Sequence, residues 1–157
     1  MTDSAPRLTP KGRATLKEEL EDLVNVKRIE LAAYLKEAVS QGDLKENADY
    51  HDAKEKQAFL EGRIKFLEDI LLTAEVIESS GRTDLVEFGS HVTVRFDDED
   101  DDETYMIVGA PEADPTKGKI SYLSSLGEAL MGKKKGEKIS FRAPSGNTVA
   151  LKVKKIN

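Results

Sequence analysis

The first half of the chain has apolar residues spaced as on one face of a helix. Thr9-Pro10 is a favourable helix start, because threonine accepts a hydrogen bond from an early backbone N–H and proline suits the first helical position. Gly42 is a typical C-terminal stop. Lys27 and Arg28 interrupt the apolar stripe that runs from this start to Gly42. Its apolar members are Leu16, Leu20, Leu23, Val24, Leu31, Leu35 and Ala38.

A second stretch, after Gly42, has a stricter period with alternating spacings of four and three. That spacing is typical of the seam of a coiled coil. The seam residues are Ala53, Gln57, Leu60, Ile64, Leu67, Leu71 and Ala74. Two such helices joined by a short turn cover each other's stripes when they run antiparallel. With about 30 residues in each helix, the predicted hairpin is ~40–45 Å long and has Gly42–Asn47 at its turn.

After Ser79-Ser80-Gly81 the period changes from helical to alternating, as in half-buried strands. Short strands are predicted at Val92–Phe96, Thr104–Val108, Lys119–Leu123, Ile139–Arg142 and Thr148–Ile156, and one short helix at Leu126–Met131. The expected fold class is therefore α+β. Residues 1–78 form an antiparallel coiled-coil hairpin, and residues 79–157 form a globular domain with an antiparallel sheet and one short helix.

Composition narrows the class of protein. The 157 residues contain no cysteine, so disulfides and thiolate chemistry are excluded. No apolar run reaches ~20 residues, and the first ten residues lack the features of a secretory signal, so we expect a cytoplasmic protein and no membrane span. The net charge of −6 disfavours independent binding of duplex DNA or RNA, which requires a broad basic face.

The charge is unevenly distributed. Residues 1–78 carry 12 basic and 17 acidic side chains, and residues 79–157 carry 12 basic and 13 acidic ones. Seven of those 13 acids lie in the run Asp97–Glu103, so a local basic face remains possible in the second half. The run lacks the spaced ligands and turn glycine of a Ca²⁺ loop, and a solvated connection between strands is the better interpretation.

Two carboxylates, Asp43 and Glu46, lie in the predicted turn. They are compatible with a capping box in which Asp43 caps the second helix and Glu46 reaches back, although Asn47 could equally be the cap. They are also hard oxygen ligands suited to Mg²⁺. Two ligands are too few for a closed metal site, so a functional site here would need a partner to supply the rest.

The residues around this turn resemble a known family. GDLKENADYHDAKEKQAFLEGRIKFLE, from Gly42 to Glu68, is similar to the tip and second helix of the Gre transcript-cleavage factors of the GreA type. LTPKGRATLKEELEDL resembles their first helix, and VEFGSHVTV, YMIVGAPEAD, KISYLSSLGEALMGKKKGEKI and KVKKI follow the family order. The resemblance covers nearly the entire chain.

This resemblance implies a function. Such factors bind bacterial RNA polymerase through a C-terminal domain of FKBP-like fold, and their coiled coil enters the secondary channel. There they stimulate the polymerase's own Mg²⁺-dependent cleavage of backtracked RNA near its 3′ end. Asp43 then corresponds to the main metal ligand and Glu46 to an assisting acid. The implied protein is a monomer that is no enzyme alone and binds no Mg²⁺ tightly in isolation.

Further residues carry weaker implications. Tyr50 matches the family pattern; stacking on an extruded RNA base and packing on a neighbouring helix are equally compatible with its position. Ser124, Ser125 and Leu126 correspond to a polymerase-facing loop. The family commonly has proline where this chain has Ser125, which puts the strength of that contact in doubt. Lys27-Arg28 is followed by Ile29, where proline is common in the family.

Two other functions remain as alternatives. A regulatory relative could enter the channel and inhibit without cleavage, but the intact tip pattern favours cleavage. A structural coiled-coil adaptor or a prolyl-isomerase-like chaperone is the third possibility. The few aromatic residues of the second half, and the absence of tryptophan, disfavour a proline pocket there.

Overall fold

The computed structural model describes residues 5–157 of the chain. They divide into two compact units. One unit is Arg13–Thr73. The other combines residues 5–12 with Ala74–Asn157. Within residues 5–157, no helix combines the length and the apolar character needed to span a bilayer.

The first residues of the chain belong to the same unit as its second half. Strand β1 (Arg7–Leu8) pairs in parallel with β2 (Glu75–Val76). The backbone N–H and the hydroxyl of Thr9 both donate to the Glu112 carboxylate, at 3.1 and 2.6 Å. The expected division into 1–78 and 79–157 therefore differs from the observed one, because strands of two residues leave no periodic signal in the sequence.

Three helical elements and one π-helical segment build the Arg13–Thr73 unit. They are α1 (Pro10–Asp22), the π segment (Leu23–Lys27), α2 (Arg28–Ser40) and α3 (Ala48–Thr73). The predicted start at Thr9-Pro10 is confirmed, since the Thr9 hydroxyl accepts from the Gly12 N–H at 3.0 Å. The 26 residues of α3 span ~39 Å.

The π segment explains why the apolar stripe of the first helical stretch is imperfect. Leu16, Leu20 and Leu23 follow a four-three spacing, and so do Leu31, Leu35 and Ala38. Leu31 lies eight positions after Leu23, one position more than a heptad. A π turn accommodates one extra residue in a helix. It therefore keeps both halves of the stripe on the side that faces α3.

Two bidentate ion pairs join α3 to the preceding helices. Arg28 donates to both carboxylate oxygens of Glu61 at 2.8 and 2.7 Å, and Arg63 donates to both of Glu19 at 2.8 and 3.0 Å. The order of these partners along the chain requires an antiparallel hairpin, as predicted. Because these side chains are well exposed and solvent screens their charges, each pair contributes little to stability.

The other unit contains a five-stranded sheet in the order β5-β4-β3-β7-β6. Its strands are β3 (His91–Phe96), β4 (Glu103–Val108), β5 (Lys119–Ser121), β6 (Lys138–Arg142) and β7 (Thr148–Ile156). One face packs with helix α4 (Ser125–Leu130) around a buried core that includes Val94, Ile107, Leu130, Leu151 and Val153. The predicted α+β class is confirmed.

One strand pair differs from the antiparallel prediction. β4 and β5 run parallel, whereas the other neighbouring strands of this sheet run antiparallel. Two 3₁₀ turns, Ala110–Glu112 and Pro115–Lys117, lie between these strands and let the chain return to the end of the sheet where β4 began. The sheet is therefore mixed.

Candidate functional site

The turn between α2 and α3 carries the predicted acidic residues. Gly42 has φ of 117°, a conformation that a side chain would strain, so glycine is needed where the chain leaves α2. The Asp43 Oδ1 atom then accepts from the Lys45 N–H at 3.0 Å. This short local bond shapes the turn and leaves the remaining acceptor positions of the Asp43 carboxylate exposed to solvent.

Asn47, and neither acid, caps α3. Its Oδ1 atom accepts from the Tyr50 N–H at 3.0 Å, and its Nδ2 donates to the Ala38 carbonyl at 2.6 Å. One amide thus satisfies an orphan donor of α3 and a carbonyl near the end of α2. The capping-box interpretation of Asp43 and Glu46 is therefore wrong, and the alternative cap considered with it is the observed one.

Both acids consequently remain available for other contacts. Asp43 and Glu46 line one open groove of about 390 Å³, together with Gln41, Asn47, Ala48 and Asp49. Within residues 5–157, Glu46 forms no side-chain hydrogen bond or ion pair. The structure therefore brings the two predicted acids to the same small concave surface.

Asp49 is a third acid in this groove that the sequence interpretation did not select. It lies in the first turn of α3, three residues after Glu46, which itself lies three residues after Asp43. This regular spacing of acids was the available signal. Acids in a first helical turn are common because the helix dipole favours negative charge there, so the signal is weak.

The donor set of the groove fits a partly supplied magnesium site. Exposed carboxylate oxygens are the ligands Mg²⁺ accepts, and the ion typically keeps several waters beside one or two carboxylates. Across residues 5–157, no three acidic or histidine side chains are arranged to hold a metal ion by themselves. Any metal held at this turn would need further ligands from another molecule.

The aromatic residues next to the turn pack locally. Tyr50 is half-buried, its ring lies 5.6 Å from that of His51 in an edge-on arrangement, and Lys54 Nζ lies 6.0 Å from its centroid. His51 Nε2 lies 3.1 Å from the Lys45 carbonyl oxygen. Tyr50 therefore contacts its helical neighbours, and its proposed contact with RNA stays a prediction.

Burial and acids on α3 raise the pKa of a tyrosine on α2. Burial raises the pKa of Tyr34, and the charges of Asp49 and Asp52 raise it further. The Tyr34 hydroxyl lies 3.4 Å from Asp52 Oδ2, and Lys56 forms an ion pair with the same carboxylate atom at 3.0 Å. The hydroxyl thus remains a protonated donor at neutral pH, and the pair holds α2 to α3 near the turn.

The second predicted contact region starts α4. Ser124 caps that helix, since its Oγ accepts from the Gly127 N–H at 3.1 Å and donates to the Ser121 carbonyl at 2.6 Å. Ser125 and Leu126 are half-buried, and Leu126 packs against the core. Leu123 is 65% exposed and was not selected from the sequence. The contact of Ser124, Ser125 and Leu126 with polymerase stays a prediction.

The observed cap makes a specific prediction about stability. We expect Asn47→Ala to lower the free energy of unfolding of the hairpin by about 1–2 kcal/mol, because α3 loses its cap and the Ala38 carbonyl loses a donor. Circular dichroism at 222 nm during thermal unfolding measures the change. Asn47→Asp, which can still cap α3 but cannot donate to Ala38, should lose less, and equal losses in both variants would contradict this account.

Models of known protein families match both halves of the sequence. The family model "Transcription elongation factor, N-terminal" matches residues 7–76, and "Transcription elongation factor, GreA/GreB, C-term" matches residues 81–157. A protein named transcription elongation factor GreA from a Roseiflexus species is 47% identical over 93% of this chain and 94% of its own. The protein of the same name from Bacillus subtilis is 43% identical over 94% of both chains.

Solved structures include a similar chain. GreA factor homolog 1 of Thermus thermophilus is 28% identical and aligns over 98% of this chain and 99% of its own, with a TM-score of 0.45. The family models and the relatives show that the chain belongs to the GreA/GreB family of transcription elongation factors, which confirms the resemblance seen in the sequence.

Proposed function

We propose that this chain binds bacterial RNA polymerase and stimulates the polymerase's own cleavage of backtracked RNA. In this proposal the helical hairpin enters the secondary channel and brings its turn to the active centre. The freed RNA end lets synthesis resume. The observation that carries the proposal is that Asp43 and Glu46 share one open groove while Asn47 alone caps α3.

The chemistry follows from the donors on the turn. In two-metal phosphoryl transfer, ions about 3.5–4 Å apart stabilise the attacking and leaving oxygens. Asp43 would bind the Mg²⁺ ion that it shares with the polymerase, and Glu46 would hold a metal-bound water or orient it. The Asp43 carboxylate already accepts from the Lys45 N–H through Oδ1, which orients the side chain, so less ordering is needed on binding.

In this proposal the chain supplies only part of an active site, and the polymerase supplies the rest. Two carboxylates on one turn supply charge and orientation but no complete metal shell. Cleavage therefore requires the polymerase, its Mg²⁺ and a nascent RNA whose 3′ end is extruded. Ser124, Ser125 and Leu126, at the start of α4, are the proposed polymerase contacts of the other unit.

The test uses stalled, backtracked bacterial elongation complexes with labelled RNA. Addition of the full chain and Mg²⁺ should release short 3′ fragments and restore synthesis from the new end. Inhibition of synthesis without fragments would favour a regulatory binder and overturn the cleavage proposal. Absence of any association with polymerase in a pull-down would overturn the proposed partner as well.

A further inference from the structure

Three cations lie directly opposite one another across the sheet. Arg95 on β3 pairs with Lys152 on β7, and Lys152 pairs with Lys138 on β6. Directly opposite residues have Cβ atoms about 4.5–5.5 Å apart and point to the same face, where like charges destabilise the pair. We refer to Arg95, Lys138 and Lys152 as the cationic row.

The row lies on the face of the sheet that does not form the core. Val94 and Val153, the chain neighbours of Arg95 and Lys152, are fully buried and point to the opposite face, since side chains alternate along a strand. Arg95 and Lys138 are exposed and Lys152 is half-buried. The charges are therefore presented to solvent along a line that crosses three strands.

Internal counterions compensate the row only in part. Arg95 Nε donates to Asp102 Oδ1 at 2.7 Å. Within residues 5–157, Lys138, Lys152 and the nearby Lys154 form no ion pair within 4 Å. Repulsion between the opposite lysines Lys138 and Lys152 costs folding free energy, and no acid in the described part of the chain lies within ion-pair distance of either one, so the arrangement points to a role outside the folding of the sheet.

A groove of about 400 Å³ joins the row to the acidic run. It is lined by Arg95, Phe96, Asp97, Glu99, Lys138, Lys152 and Lys154. Burial and repulsion from neighbouring acids, Glu103 first, raise the pKa of Glu99. The acids are thus crowded against each other beside lysines that have no ion pair among the described residues, and they compete with any bound anion for those lysines.

We propose that this groove binds the phosphate backbone of single-stranded nucleic acid without sequence preference, in competition with the acidic run. Adjacent strands are about 4.8 Å apart, so the row spans about 10 Å, enough for two successive phosphates of an extended strand. Flexible lysines suit such repeating point charges, and binding releases counterions from the strand. Lys154 adds a further cation to the same groove.

The inference is independent of the cleavage proposal. The row belongs to the sheet, whereas Asp43 belongs to the hairpin unit, and the groove contains none of the residues assigned to cleavage. The net charge of −6 describes the whole chain and does not reveal this local group of cations. Because acids also line the groove, we expect it to bind single-stranded nucleic acid weakly. Because the contacts are to phosphates, the affinity should depend strongly on salt.

The test measures fluorescence anisotropy of a labelled 20-nucleotide oligouridylate, which stacks little, against the full chain at several salt concentrations. We expect a dissociation constant on the order of 10⁻⁴–10⁻⁵ M at low salt, typical of non-specific binding. The double variant Lys138→Gln/Lys152→Gln should bind about 10-fold more weakly, and its salt slope should fall by about 1.4, since each single-strand phosphate contact contributes about 0.7. Asp97→Asn/Glu99→Gln should bind several-fold more tightly.

The matched control is Lys17→Gln/Lys36→Gln, which removes the same charge from exposed positions of the hairpin. It should bind as the unaltered chain does. Equal losses in the control and row variants would overturn the proposal, as would no binding by the unaltered chain at low salt. Competition by polyglutamate as effective, charge for charge, as by unlabelled oligouridylate would also overturn it and assign the groove to acidic proteins.

Discussion

Asp43→Asn is expected to slow RNA cleavage in backtracked complexes by about 10²–10³-fold, the loss typical when one preorganised electrostatic contact to a reacting centre is removed. The amide keeps the shape of the side chain, and its oxygen can still accept from the Lys45 N–H, so the turn should keep its conformation. What changes is the negative charge that would hold Mg²⁺. The rate of fragment release from labelled RNA measures the effect.

Measuring the affinity of Asp43→Asn for polymerase distinguishes a loss of Mg²⁺ binding at the turn from a loss of polymerase binding. The affinity of Asp43→Asn for polymerase should stay within about twofold, because the groove contributes little contact area. Raising the Mg²⁺ concentration should restore part of the lost rate, since a weakened ligand set can be compensated by mass action. Normal cleavage by the variant, or an equal loss of cleavage and binding, would contradict the role proposed for Asp43.

Glu55→Gln is the matched control for that experiment. It removes one acid from an exposed position on α3, the helix that follows the turn, outside the residues that line the groove. Cleavage by this variant should match that of the unaltered chain within about twofold, as expected of an isolated surface charge. A large loss would mean that the general charge of the hairpin matters more than the two acids at its turn.

Periodic patterns predicted the large elements of this fold correctly. The four-three spacing from Ala53 to Leu71 corresponds to α3, and the alternating residues around Val94 correspond to β3. In both cases many residues contribute to one repeated signal. Strand β7 matches its predicted bounds, Thr148–Ile156, since Val149, Leu151 and Val153 alternate and a local irregularity in its pairing with β3 shifts the phase before Ile156.

Features that depend on a single residue or on distant pairing could not be predicted in the same way. β1 and β2 are too short to show a period, and the parallel pairing of β4 with β5 is set by the turns between them. At the turn of the hairpin, two residues, Asp43 and Asn47, were possible caps. The choice of Asn47 depends on its reach to the Ala38 carbonyl, a contact that sequence spacing does not reveal.

The π segment leads to the second prediction with a large expected effect. If it accommodates one extra residue, deletion of the exposed Asn25 should leave continuous heptads, and the hairpin should stay within about 1 kcal/mol of its original stability. Deletion of Lys65, equally exposed, should instead turn Ile64 and Leu67 out of phase on α3. Displacing even one such buried side chain costs about 2–5 kcal/mol, so this deletion should destabilise the hairpin by at least that amount.

Helical circular dichroism during urea unfolding, together with limited proteolysis of the hairpin, compares the two deletions. The Lys65 deletion should lose its cooperative helical transition, because Leu67 is fully buried and Ile64 nearly so, and no π turn in α3 can absorb the change of register. Equal destabilisation by both deletions would show that the π segment is needed for packing itself. Retained packing without Asn25 would instead show that the extra residue is dispensable for folding.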